Sequence, residues 1–94
     1  MERKFDVGVL YITQGVANLI EEKNLGEEVS KCLIRHHQAD WGDMCEEDKQ
    51  MNDWSLANEG RLLSSYEVGK DKTKIWIITE WDRSCTTILL PEEY

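Results

Sequence analysis

The sequence predicts an α+β domain: an N-terminal strand, three helices, then a three-stranded antiparallel meander, with the helices packed on one face of the sheet. Two observations carry this. Between Thr13 and Gly60 apolar residues recur at offsets of three and four, whereas from Arg61 to Leu90 they alternate or run together, as helices and strands respectively require. The 94 residues, 40% hydrophobic and 32% charged, suffice for one packed core spanning 1–94 and not for two.

Each element has its own signal. Phe5 to Ile12 alternates as a first strand, with Phe5, Val7, Val9 and Tyr11 on one face and Gly8 marking a bulge or a close backbone approach. Thr13 caps a helix holding Val16, Leu19 and Ile20. Asn24 and Glu27 read as a capping box for a second helix, whose stripe is Val29, Cys32, Leu33 and His36 and which ends near Gln38. After the turn Asp40-Trp41-Gly42-Asp43, Asp43 and Glu46 read as a second box. It opens a third helix with Met44, Met51, Trp54 and Ala57 as its apolar stripe and Gly60 as its stop. Arg61 to Val68 alternates, Gly69 to Lys72 turns, and Lys74 to Trp81 contains the run Ile75-Trp76-Ile77-Ile78 of a central strand. Asp82-Arg83-Ser84 turns again, and Cys85 to Leu90 is a last strand that Pro91 stops.

Charge is distributed unevenly. The chain is −8 overall, and residues 40–60 set Asp40, Asp43, Glu46, Glu47, Asp48, Asp53 and Glu59 against Lys49 alone. Direct nucleic-acid binding requires Lys and Arg to neutralise phosphates, so the balance argues for a basic protein partner instead. No apolar run approaches the ~20 residues of a membrane span. The N-terminus lacks the apolar stretch of a signal peptide, so a cytoplasmic protein is expected. Cys32, Cys45 and Cys85 are too widely spaced for a disulfide framework and are expected as reduced, mostly buried thiols.

Three blocks carry a resemblance. The first is Arg35-His36, Asp40-Trp41-Gly42-Asp43, Glu47-Asp48-Lys49 and Asn52-Asp53; the second is Arg61-Leu62-Leu63-Ser64 with Tyr66. The third is Lys74 to Glu80, Asp82-Arg83-Ser84, Thr86-Thr87 and Pro91-Glu92-Glu93-Tyr94. Over residues 5–94 the chain resembles a family of small bacterial proteins borne on plasmids and other mobile elements. Its members are called plasmid-related proteins or subunit M of a type I restriction endonuclease. The resemblance implies a mobile-element context and no nameable activity. A methyltransferase needs a Gly-rich turn after a strand and a pocket for a flipped base; this chain has no G-x-G run and is too short.

Candidate sites follow. The acids of the middle third, on a helix and its entry turn, are able to imitate phosphates and occupy a basic groove on an enzyme; the mobile-element context that the resemblance implies makes a restriction or CRISPR nuclease the expected enzyme. They also cap a helix and keep the chain in solution, as charge runs usually do. The predicted contact set is Asp40, Trp41, Asp43, Glu46, Glu47, Asp48 and Asp53, with Trp41 as an aromatic anchor or a lid on the core. Cys32 and His36, one turn apart, have the spacing of a zinc pair that Asp40 or Cys45 would complete; a packed histidine is the commoner outcome on an apolar stripe. A hydrolase would pair His36 or His37 with Asp40, Asp43 or Glu80, with or without Mg²⁺, yet no catalytic motif is present. Arg83, in a turn with Glu80 and Asp82, is a further candidate contact. The expectation is a non-enzymatic inhibitor of a host nuclease, of anti-CRISPR or anti-restriction type, with no cofactor or metal. The alternatives are a metal-assisted hydrolase and an accessory subunit of a restriction or plasmid-maintenance complex.

Overall fold

Alternating apolar residues in the last third and helical spacing in the middle build an α+β structure with three helices and one four-stranded mixed sheet. The computed structural model describes residues 4–94. The order is β1 (Val9–Ile12), α1 (Gln14–Lys23), α2 (Gly26–His37), α3 (Glu46–Ala57), β2 (Leu62–Val68), β3 (Thr73–Thr79) and β4 (Cys85–Leu89), then a 3-10 turn at Pro91–Glu93. In space the strands run β1-β4-β3-β2. β3 is antiparallel to both its neighbours, and β1 is parallel to β4.

That topology corrects the expected sheet. A parallel neighbour needs a long crossover, and the three helices with β2 and β3 supply one, so the first strand returns beside the last. The strand is also shorter than the alternation from Phe5 suggested. Gly8 sits at φ +65°, where a side chain would collide with the Ser84 carbonyl. The close approach expected there is what delays regular pairing until Val9, whose N–H donates to Ser84 O at 3.0 Å.

The core lies between the sheet and two helices. Val16 of α1 and Val29 and Cys32 of α2 meet Tyr66, Val68, Ile75, Ile77 and Ile88, with Leu25 from the α1–α2 link. Ile75 and Ile77 are wholly buried, each stabilising the fold by about 1.5–3 kcal/mol. His36 is the last residue of the α2 stripe and is also fully buried. Among the described residues no helix is long and apolar enough to cross a membrane.

Both expected capping boxes are absent. Asn24 closes α1 instead of opening α2, in the left-handed conformation at φ 55° that Asn tolerates. With one residue left before the next helix, α2 starts from Leu25 without a side-chain cap. Asp43 is drawn away by its own N–H, which donates to Ser65 O at 2.6 Å, so Cys45 precedes α3. Glu59, at φ 58°, takes the left-handed position after α3 that Gly60 was expected to hold. The α1 cap does form, with the Thr13 hydroxyl accepting from Val16 N. It is reinforced from the far end of the chain: the Glu93 carboxylate accepts from Thr13 Oγ1, Gly15 N and Leu90 N. These bonds hold the Glu93 carboxyl below the usual carboxylate range.

α3 does not join the other two helices on one face, and the backbone of β2 explains why. Leu63 and Ser65 point their N–H and C=O groups out of the sheet. The Asn52 side-chain amide donates to Leu63 O at 2.6 Å and accepts from Leu63 N at 3.1 Å. Trp41 O accepts from Ser65 N at 3.1 Å, and Asp43 N donates to Ser65 O. A side chain and a loop thereby replace a fifth strand and hold α3 along the outer edge of β2. Asn52→Ala strands both Leu63 groups in a half-buried place and is expected to destabilise the fold by about 1–3 kcal/mol, read as a lower urea midpoint at unchanged slope.

Candidate binding surface

The edge pairing of Asn52 decides which side of α3 faces out. Asn52 and Ser55 are its buried residues, and Leu56 lies half-buried beside them. Met51 and Trp54 are 62% and 59% exposed. The expected apolar stripe is therefore turned toward solvent. The sequence carried a signal for this, since Asn52, Ser55 and Leu56 lie at offsets of three and four, but two polar members made it read as a surface.

Of the seven predicted contact residues, three are engaged inside the molecule. Trp41 is 3% exposed. It stacks on Phe5 with ring centres 6.2 Å apart, meets the His36 ring edge-on, and donates from Nε1 to Asp53 Oδ1 at 3.0 Å. It is a lid on the core and leaves the contact set. Asp53 is exposed but is spent on that indole. Asp40 is bound by the Arg35 guanidinium at 2.7 and 3.2 Å and accepts from Gly42 N; the Arg35 bond holds its carboxyl below the usual carboxylate range. Arg35 also lies 4.8 Å over the Tyr66 ring, whose hydroxyl donates to Asp40 O.

The other four stay available. Asp43, Glu46, Glu47 and Asp48 are exposed, and among the described residues none of them lies within 4 Å of a Lys or Arg nitrogen. Three fill the first turn of α3, where negative side chains suit the positive end of the helix dipole. Asp43 and Asp48 also line a groove of about 510 Å³ between α3 and the sheet. Its apolar lining is Met44, Met51, Leu63 and Trp76, with Lys74 on the strand side. The Ser65 hydroxyl, also in the lining, is buried without a hydrogen-bond partner among the described residues. Trp76 is half-buried, its ring edge against Tyr94, while Trp81 is 63% exposed beyond the strand end.

The histidine and arginine candidates belong to the scaffold. His36 Nδ1 lies 2.5 Å from Ser64 Oγ and Nε2 2.9 Å from Thr79 Oγ1; Thr79 Oγ1 lies 2.7 Å from Thr86 Oγ1, which reaches Val7 O at 2.8 Å. A carbonyl only accepts, so Thr86 donates to Val7, Thr79 to Thr86, and His36 Nε2–H to Thr79. Ser64 then donates to Nδ1. The chain fixes one tautomer and spends both ring nitrogens, which removes Cys32–His36 as a zinc pair. Both members of the Ser64–His36 pair are fully buried, so no substrate reaches them as base and nucleophile. His37, half-buried, packs edge-on against Phe5. Among the described residues no three His, Cys, Asp or Glu side chains group to hold a metal. Arg83 donates to Gly60 O, Glu80 O, Trp81 O and Ser55 O and lies 5.7 Å over the Phe5 ring, tying the end of α3 to the β3–β4 turn. Of the thiols, Cys32 is buried, Cys85 half-buried and Cys45 exposed, which corrects the expectation that most are buried. Burial pushes the Cys32 thiol up.

Burial pushes His36 down to about 3 from 6.5. The unfolded chain therefore binds a proton between pH 6.5 and 3 that the folded chain refuses. The stability from neutral His36 is complete above pH 6.5 and is lost as pH falls toward 3, at up to about 1.4 kcal/mol per pH unit. His36→Gln is expected to be less stable at neutral pH but to lose stability less steeply between pH 6.5 and 4, read from urea midpoints; parallel slopes would refute the assignment. No family model, no curated protein and no solved structure matches the chain.

Proposed function

We propose that the protein is a non-enzymatic binding module that docks the α3 end of its fold on a basic protein surface. The observation that carries this is the outward face of α3, which exposes Met51 and Trp54 beside first-turn acids that have no ion-pair partner among the described residues. The Asn52–Leu63 pairing sets the rotation of α3 and leaves Met51 and Trp54 on its outer side, where a partner can cover them. Exposed apolar side chains rimmed by polar residues mark contact surfaces, and Trp is enriched among interface hot spots.

The groove suits a Lys or Arg side chain of the partner. Its methylenes pack on Met44, Met51 and Trp76, its charged head approaches Asp43 and Asp48, and the Ser65 hydroxyl supplies a polar partner. Four acids with no ion-pair partner among the described residues and an apolar floor differ from the set of six acids and Trp41 that the sequence suggested. Recognition then rests on shape as well as on imitation of phosphates. Basic grooves that hold nucleic acid offer this chemistry, and the resemblance to mobile-element proteins makes a host defence nuclease, of CRISPR or restriction type, the target of choice. Cytoplasmic action and inhibition by blocking nucleic-acid entry belong to the same reading.

The test is binding to, and inhibition of, purified restriction and CRISPR nucleases. Association should weaken as salt is raised and should be competed by DNA. Combined Glu47→Lys and Asp48→Lys, and separately Trp54→Ala, should each reduce affinity by about tenfold or more while the thermal melt stays within a few degrees. Unchanged affinity in both folded variants would sink the reading, and stimulation of the nuclease would favour an accessory subunit.

A further inference from the structure

The two outer edges of the sheet are treated in opposite ways. On β2 the outward backbone groups of Leu63 and Ser65 are paired by Asn52 and by the Trp41–Asp43 loop. On β1 the inward groups bond β4, with Val9 N donating to Ser84 O and Thr13 N to Ile88 O. Backbone groups alternate sides along a strand, so those of Leu10 and Ile12 point away from β4, and no described residue bonds them. Val9, Leu10, Tyr11 and Ile12 are 57%, 41%, 55% and 45% exposed, so both faces of the strand are partly open. Strand edges are ordinarily guarded by shortness, a charge, a proline, a bulge or a covering loop, and of these β1 has its length of four residues. Within β1 there is no charge and no proline.

From this geometry we infer that β1 is a self-association edge, across which a second copy pairs antiparallel about a two-fold axis at Tyr11. The register follows from the outward groups. Leu10 faces Ile12 of the second copy, and Ile12 its Leu10, as two hydrogen-bonded pairs, while the two Tyr11 side chains meet at the closer, non-bonded pair between them. The pairing is isologous and closes after two copies. The two sheets become one of eight strands, and side chains of each face continue across the join.

Charge favours a second copy as the occupant. Two molecules of net −8 repel each other, so self-association needs a neutral contact. From Val7 to Ile20 the sequence has no Asp, Glu, Lys, Arg or His over fourteen residues, and that stretch holds β1 with the first turns of α1. Asn52 holds α3, which carries the acidic first turn, at the β2 side of the sheet, away from β1. A basic partner is drawn to that end, which leaves the neutral edge for another copy. This proposal is independent of what α3 binds.

Sedimentation equilibrium of the full chain across a concentration series tests it. The expected result is a dimer of about 22 kDa, twice the 11.0 kDa chain. Tyr11→Lys, which sets two like charges at the axis, should weaken it by at least about tenfold with an unchanged circular-dichroism melt. Should that variant unfold, Tyr11→Cys and Val9→Cys in a Cys45→Ser, Cys85→Ser background decide the register. Only the position on the axis brings its two Cα atoms within disulfide reach, so only Tyr11→Cys should cross-link under mild oxidation. A monomer at every concentration, a dimer indifferent to Tyr11→Lys, or cross-linking through position 9 in place of 11 would each overturn the inference.

Discussion

The outer edge of β2 is the constraint on which the rest of the structure turns. Buried backbone N–H and C=O groups must be paired, and this sheet ends on a strand with two such residues to satisfy. The molecule meets that demand with Asn52 and with the loop that carries Trp41 and Asp43. Asn52 sits mid-helix, so its task fixes the rotation of α3. Ser55 comes inward with it, and its carbonyl receives Arg83. Met51 and Trp54 are left outside. The surface on which function is proposed is thus a by-product of hydrogen-bond accounting at a strand edge, and hydrophobic sorting alone would have produced a different one.

The same loop links the edge to the core. Trp41 O bonds the strand while the Trp41 indole closes over Phe5 and His36. Gly42, at φ +78°, lies where any side chain would run into the Ser65 carbonyl, so the loop hugs β2 closely because that residue is a glycine. Asp40, one residue before Trp41, is fixed by Arg35 and supplies the carbonyl that Tyr66 reaches. Residues read as a single acidic surface therefore divide between those that build the lid and those beyond it that remain free.

Legibility in the sequence followed periodicity. The strands of the last third, the α1 cap at Thr13 and the α2 stripe through His36 were readable because each rests on apolar spacing or one local bond. What escaped depends on partners distant in sequence. β1 pairs with a strand more than seventy residues later, and nothing in its four apolar residues announces that. Asn24 satisfied the pattern of a helix start, yet the two-residue link made it a helix end. The rotation of α3 was hidden for a related reason: the value of a buried Asn appears only when the strand it pairs is known. Trp41 stood in a polar turn, and the acid that shields its indole lies twelve residues on.

The ordered run from Ser64 through His36, Thr79 and Thr86 to Val7 bears on how this interior is able to vary. Every donor in it already has its acceptor, so replacing the Thr79 or Thr86 hydroxyl by a methyl group orphans two neighbours at once. Replacing adjacent members together removes both halves of a bond and costs far less. Drift at these positions is therefore concerted: a lineage that exchanged Thr79 for valine would be under pressure to exchange Thr86 or His36 soon after, and the five segments they join would be inherited as a block.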